Sequence, residues 1–142
     1  MPDSIQEQIV KKVASALAEI TAIQSVQRFS WDGILLGTLP AVLIKEGDCV
    51  EEKDHRTTTR IRRRMEVYLV VAHLPDAVDL LNNLVADVEK RLGVSRNWDG
   101  LALMTDPAAY LELDLDAVTP HVSRGMKVEI VYEQQRYDPY SQ

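Results

Sequence analysis

Five arginines, Arg56, Arg60, Arg62, Arg63 and Arg64, fall within residues 56–64 of a 142-residue chain whose formal net charge is −6. Guanidinium groups at that density grip carboxylates or phosphates through paired N–H donors. The run leads directly into the most apolar stretch of the chain, "MEVYLVV" at 65–71. A second charged group, Glu112, Asp114 and Asp116, alternates along "LELDLD" and would present three hard oxygen donors on one strand face, an arrangement that suits Mg²⁺. No glycine-rich phosphate loop, G-x-S-x-G elbow, H-E-x-x-H or C-x-x-C spacing accompanies it. Solvated or arginine-paired carboxylates are therefore the simpler reading of the three acids. His55, His73 and His121 are scattered and read as surface or packing residues. Trp31 and Trp98 each precede Asp-Gly, which makes them turn-anchoring aromatics. We assign no catalytic, cofactor-binding or metal-ligating residue and expect no cofactor.

If residues 60–72 form a strand, Arg60, Arg62 and Arg64 share one face, because strand side chains alternate. Ile61, Met65, Val67 and Leu69 then occupy the face turned to the core, with Arg63 as the misfit. A hairpin centred on Thr58 places Glu52 across from Arg64 and Asp54 across from Arg62, a locally neutralised ladder. Residues 51–60, "EEKDHRTTTR", carry no apolar side chain. They have nothing to offset the entropy of ordering, so a charged hairpin over about 49–62 is expected to project and to become ordered on assembly. Three uses of the arginines stay open: internal pairing, contact with another subunit or protein, and contact with nucleic acid. Arg56, Arg60, Arg62 and Arg64 are the candidate interface residues, with Glu112, Asp114 and Asp116 as a matching acidic row for a head-to-tail contact.

The elements that position these residues are legible from periodicity. Ser4 and Glu7 have capping-box spacing, and Ile9, Val13, Ala16, Leu17 and Ile20 recur as a helical stripe over about 4–23. Short strands are predicted near 26–29 and 41–45, and the hairpin arms at 49–56 and 60–72. Asp76 is a suitable N-cap for a helix through Leu92 whose stripe is Leu81, Leu84, Val85, Val88 and Leu92; Gly93 is placed for a left-handed stop. Residues 94–125 read as loop-rich, with a strand at 111–116 and turns at Asp106-Pro107 and Asp138-Pro139. "MKVEIVYE" is the last strand, with Met126, Val128, Ile130 and Tyr132 on one face. Residues 135–142 are polar and read as a mobile tail. Helix, strands, helix and strand in this order predict a single α+β domain over 1–142: a mainly antiparallel sheet with two helices on one face. Its core is expected to gather Leu81, Leu84, Val85, Val88, Val67, Leu69, Val128 and Ile130.

Composition narrows the function classes. A chain that is 46% hydrophobic and 27% charged can fold as a globular domain. No window approaches the roughly 18 apolar residues of a spanning helix, and the N-terminus has no apolar signal core, so no membrane partner is expected. A lone cysteine, Cys49, cannot form an internal disulfide and fits a reducing cytoplasm. An excess of acid argues against a protein that coats duplex DNA. A small hydrolase or nuclease using the acidic row, or a ligand-binding module, remains the reading from a different class.

The succession "LPAVLIKEGD", charged hairpin, "RMEVYLVVA", "DAVDLLNNLVADVEKRL" and "VEIVYE" resembles the tail terminator, or minor tail protein, family of long-tailed bacteriophages and their prophages. The resemblance spans nearly the whole chain in size and element order and transfers no individual residue beyond the arginine-bearing strand. It implies a structural, non-enzymatic protein that forms a hexameric ring on the last ring of the tail tube, stops tube polymerisation and offers a head–tail joining surface. The implied partners are further copies of itself, the tail-tube protein and a head–tail connector protein, with DNA passing the ring lumen. The implied location is the virion tail, after assembly in the host cytoplasm. Other neck, tail-completion and head–tail connector proteins share the size and context, and stand as the alternative.

Overall fold

The computed structural model describes residues 3–28, 39–72, 74–94, 97–98, 100–114 and 121–142, with the backbone alone at 48, 94, 106–114 and 121. Helix α1 (Ile5–Ala18) begins where the Ser4 hydroxyl accepts from the Glu7 amide at 3.2 Å. The reciprocal half of the capping box is replaced, because the Glu7 carboxylate takes an ion pair from Arg28 at 2.6 Å. Ile5, Ile9, Val10, Val13, Ala16 and Leu17 are buried, the stripe that three- and four-residue spacing requires. The helix is shorter than its periodic pattern, ending before Ile20.

Strands β1 (Ser25–Arg28), β2 (Ala41–His55) and β3 (Thr58–Ala72) follow, then α2 (Ala77–Val94), β4 (Met104–Asp114) and β5 (His121–Gln135). The strand order is β1-β2-β3-β5-β4. Only β1 and β2 pair in parallel; the other neighbours are antiparallel. This is the expected α+β class. One core cluster joins α1 and α2 to Val42 and Ile44 of β2, Ile61 to Val71 of β3, and Val122 to Tyr132 of β5. All eight residues expected in the core are buried.

Beyond the shorter α1, the structure departs from the sequence reading in three places, each with a local cause. Gly93 lies inside α2, which runs on to Val94, because the helix needs no left-handed stop where its last turn is still packed through Leu92. The stretch expected to be loop-rich supplies all of β4 and the start of β5. Asp106-Pro107 is strand, not turn; Pro107 sits on the sheet's edge beside a register shift, where a missing N–H costs no ladder bond. The third concerns the hairpin register. Its turn is Arg56-Thr57, with Arg56 at φ 45°, and His55 pairs Thr58.

That register sets Glu51 across from Arg62 and Lys53 across from Arg60, while Glu52 and Asp54 pair Ile61 and Thr59. The centre has moved by an odd step, so the two acids meant to face arginines lie on the other face of the sheet. Asp54 instead accepts from the Thr59 hydroxyl at 2.8 Å. Upstream, β2 carries two register shifts, between Glu46 and Cys49 and between Cys49 and Glu51. Gly47 occupies the first: a Cβ there would meet the Arg64 carbonyl oxygen at 2.2 Å. A bulge of this kind bends a long strand and increases its twist.

The tip of the hairpin has a third strand beside it. β5 pairs β3 along its whole length, as far as Thr58 with Gln135, and Thr59 and Ile61 are buried. Beyond Gln135 the chain turns back. The Arg136 amide donates to the Thr57 carbonyl at 2.8 Å, the Pro139 carbonyl accepts from the Ile5 amide at 2.9 Å, and Gln142 Nε2 donates to the Leu101 carbonyl at 2.7 Å.

Candidate functional site

The helices cover one face of the sheet, and the arginine row lies on the other. Alternation along β3 puts Met65, Val67, Leu69 and Val71 in the core and Arg60, Arg62 and Arg64 on the outer face, as the sequence pattern requires. The misfit, Arg63, points to the core side near the end of the helix layer. There its Nε donates to the Tyr132 hydroxyl at 2.9 Å, and burial pushes the Tyr132 phenol above its ordinary pKa.

The outer arginines find their carboxylates on β5. Arg60 Nε and NH2 both donate to Glu133 Oε1, at 3.2 and 2.8 Å. Arg62 NH1 donates to Glu129 Oε2 at 3.0 Å and Arg64 NH2 to Glu129 Oε1 at 3.2 Å. From β2, Glu51 reaches Arg62 only at 3.7 Å. Glu129 bridges two arginines with a side chain 14% exposed. The hydrogen bond from Arg62 holds its carboxyl below the usual carboxylate range, with Arg64 adding to the effect against the opposing influence of burial. Farther along the same face, Glu66 accepts from the Tyr68 hydroxyl at 2.5 Å. Burial, reinforced by that carboxylate, raises the Tyr68 phenol to about 12. The result is an ordered ladder of charge across three strands.

Arg56 stands apart, exposed at the hairpin turn. Glu112 and Asp114 lie on β4, the far edge of the sheet, and Asp116 lies outside the described residues. Asp114 aligns with Ser123, which aligns with Val70. That is six residues along β3 from Arg64, the nearest arginine, or ~20 Å at about 3.3 Å per residue, with β5 lying between the two strands. Within one chain the two charged rows are therefore separate. Glu129 and Glu133, the carboxylates that meet the arginines, were not singled out from the sequence. Their alternation with Val128, Ile130 and Tyr132 already places them on the outer face, but nothing local says that β5 lies beside β3.

Among the described residues no three His, Cys, Asp or Glu side chains are gathered as a metal site, and no helix is long and apolar enough to cross a membrane. Trp98 anchors a turn, as expected, with its indole N–H donated to the buried Thr105 hydroxyl at 2.6 Å and its backbone at φ 50°. Trp31 and His73 lie outside the described residues.

No family model matches the chain, and no curated protein is similar to it in sequence. Among solved structures, it is similar in fold to a chain of the "Virion of native gene transfer agent (GTA) particle", at 11% identity and a TM-score of 0.46 over 92% of each chain. A likeness of that size does not bear on function.

Proposed function

We propose that the protein is a structural, non-enzymatic component of a phage-type virion. It caps the tail tube, ends tube polymerisation and forms the tail-to-head joining surface as a hexameric ring of identical subunits. The observation that carries this reading is the outer face of the sheet. Three long strands present a charged surface on the side the helices leave uncovered, with arginines paired to Glu129 and Glu133. Among the described residues, each of these arginines meets partners for only part of its donor set, since a guanidinium has five N–H groups. Such a surface suits protein–protein contact, in which oriented charges select partner and register. The family resemblance of the sequence supports the same assignment.

On this reading Arg56, Arg60, Arg62 and Arg64 face a neighbouring subunit or the tail-tube protein. Glu112 and Asp114 of the edge strand, together with Asp116, serve a different neighbour. A head–tail connector protein meets the opposite side of the ring, and DNA passes through the lumen in transient contact. Assembly takes place in the host cytoplasm and ends in the virion tail. The test is to add the purified protein to polymerising tail-tube protein of the same genome and measure tube length and end structure by electron microscopy. Shortened tubes bearing a ring at one end are expected. Unchanged tube growth with bare ends would exclude the terminator assignment.

A further inference from the structure

Near the tip of the hairpin the outer face hollows into a concavity of about 220 Å³ lined by Glu51, Lys53, His55, Arg60, Arg62 and Val131. Its register places Lys53 directly across from Arg60. Like charges in that position repel, at a cost to the monomer. Arg60 is turned toward Glu133 and Arg62 toward Glu129, both on the β5 side. Glu51, the acid that lines the hollow, ion-pairs weakly with Arg62. Among the described residues no carboxylate comes within ion-pair distance of the Lys53 ammonium. A chain with net charge −6 thus keeps an unanswered cation in a hollow floored by Val131, which is 6% exposed.

An opposite surface exists on the helix layer. Residues 76–89 carry four acidic side chains and no basic one. Asp76, Asp79 and Asp87 are exposed, and at 100° per residue they lie along one face of α2, with Lys90 closing the stripe. The hollow is on one face of the two-layer fold and this acidic stripe is on the other.

We infer that the Lys53 hollow is a carboxylate-binding site whose occupant is the acidic α2 face of a second copy of this chain. Two different patches on opposite faces make a heterologous, head-to-tail contact, which closes into a ring when the rotation allows. A carboxylate beside Lys53 would relieve the Lys53–Arg60 repulsion, so the contact is favoured by a tension already present in the monomer. Nucleic acid offers phosphates to the same donors. However, a polyanion approaching a protein of this net charge is repelled at long range, whereas an aspartate needs only local complementarity. The inference rests on the ring reading above only in requiring self-association.

The test is Lys53→Glu, compared with wild type by mass photometry and thermal melting at low and high salt. The variant replaces a repelled pair with an attracted one, so the monomer should melt at the same temperature or higher while self-association weakens at least tenfold. Asp79→Lys/Asp87→Lys should weaken it similarly, with Asp87→Lys alone as the reserve should the double variant misfold. Combining the reversals in one chain should restore assembly. Normal assembly of Lys53→Glu, or no restoration in the combined chain, overturns the inference and leaves the ring reading intact. Loss of binding to a fluorescent DNA oligonucleotide with assembly unchanged overturns it in favour of phosphate. A wild type that stays monomeric overturns both. Rings that form through this contact but do not cap tubes sink only the tail-terminator reading.

Discussion

From Met65 to Val71, β3 turns Met65, Val67, Leu69 and Val71 into the core beneath the helices. From Thr58 to Arg64 the same strand is held by polar partners: Arg60, Arg62 and Arg64 by glutamates of β5, Arg63 by Tyr132, and Thr59 by Asp54. The first half is secured by a non-directional force proportional to apolar area. The second keeps Ile61 in the core but otherwise depends on directional bonds, which each return little net free energy when exposed. One strand therefore joins a stable platform to a charged surface whose geometry is set by pairing rather than by packing. A single element can anchor a domain at one end and present an interaction face at the other.

Given that contrast, core substitutions should dominate stability. Leu84, fully buried in the shared cluster, is the strongest case. Leu84→Ala should lower unfolding free energy by about 2–5 kcal/mol, read by chemical denaturation. A loss below 1 kcal/mol would mean that the platform is not packed as described.

Next comes Glu129, where the charged half is most concentrated. Glu129→Gln should cost roughly 1.5–3 kcal/mol at neutral pH, the range for hydrogen bonds to charged groups. Its carboxyl is held below the usual carboxylate range. The stability it contributes is therefore complete above the usual carboxylate range and disappears as pH falls through the lower folded value. Wild type and variant should separate at pH 7 and converge in acid; parallel stability curves down to strong acid would remove Glu129 from the network.

The smallest effect belongs to Tyr132→Phe, which keeps the buried ring and deletes the acceptor for Arg63. A loss of about 0.5–1.5 kcal/mol is expected, with Met65 and Val67 amides unchanged in hydrogen exchange. Spread of the effect into those amides would show that the two halves are not separable.

Much of this architecture was legible before folding. The period of 3.6 in "DAVDLLNNLVADVEKRL" and the period of two in "RIRRRMEVYLVV" and "MKVEIVYE" assign helix, strand and inward face residue by residue. They do so because amphipathic alternation is a property of neighbouring positions. The outer placement of Arg60, Arg62 and Arg64 and the misfit of Arg63 followed from it. Between 94 and 125 the pattern is weakest, because Pro107 and the irregular pairing of β4 obscure the alternation of an edge strand.

What only the tertiary structure decided is who meets the arginines. The hairpin has no Asn-Gly or Asp-Gly turn to announce its register. The turn at Arg56-Thr57 then placed Glu52 and Asp54 on the other face. The glutamates that do pair are more than 60 residues away in the chain, brought beside β3 by the order β1-β2-β3-β5-β4. Periodicity determines which face a side chain takes. The neighbour across that face depends on strand order and register, which are long-range choices made by packing the whole sheet at once.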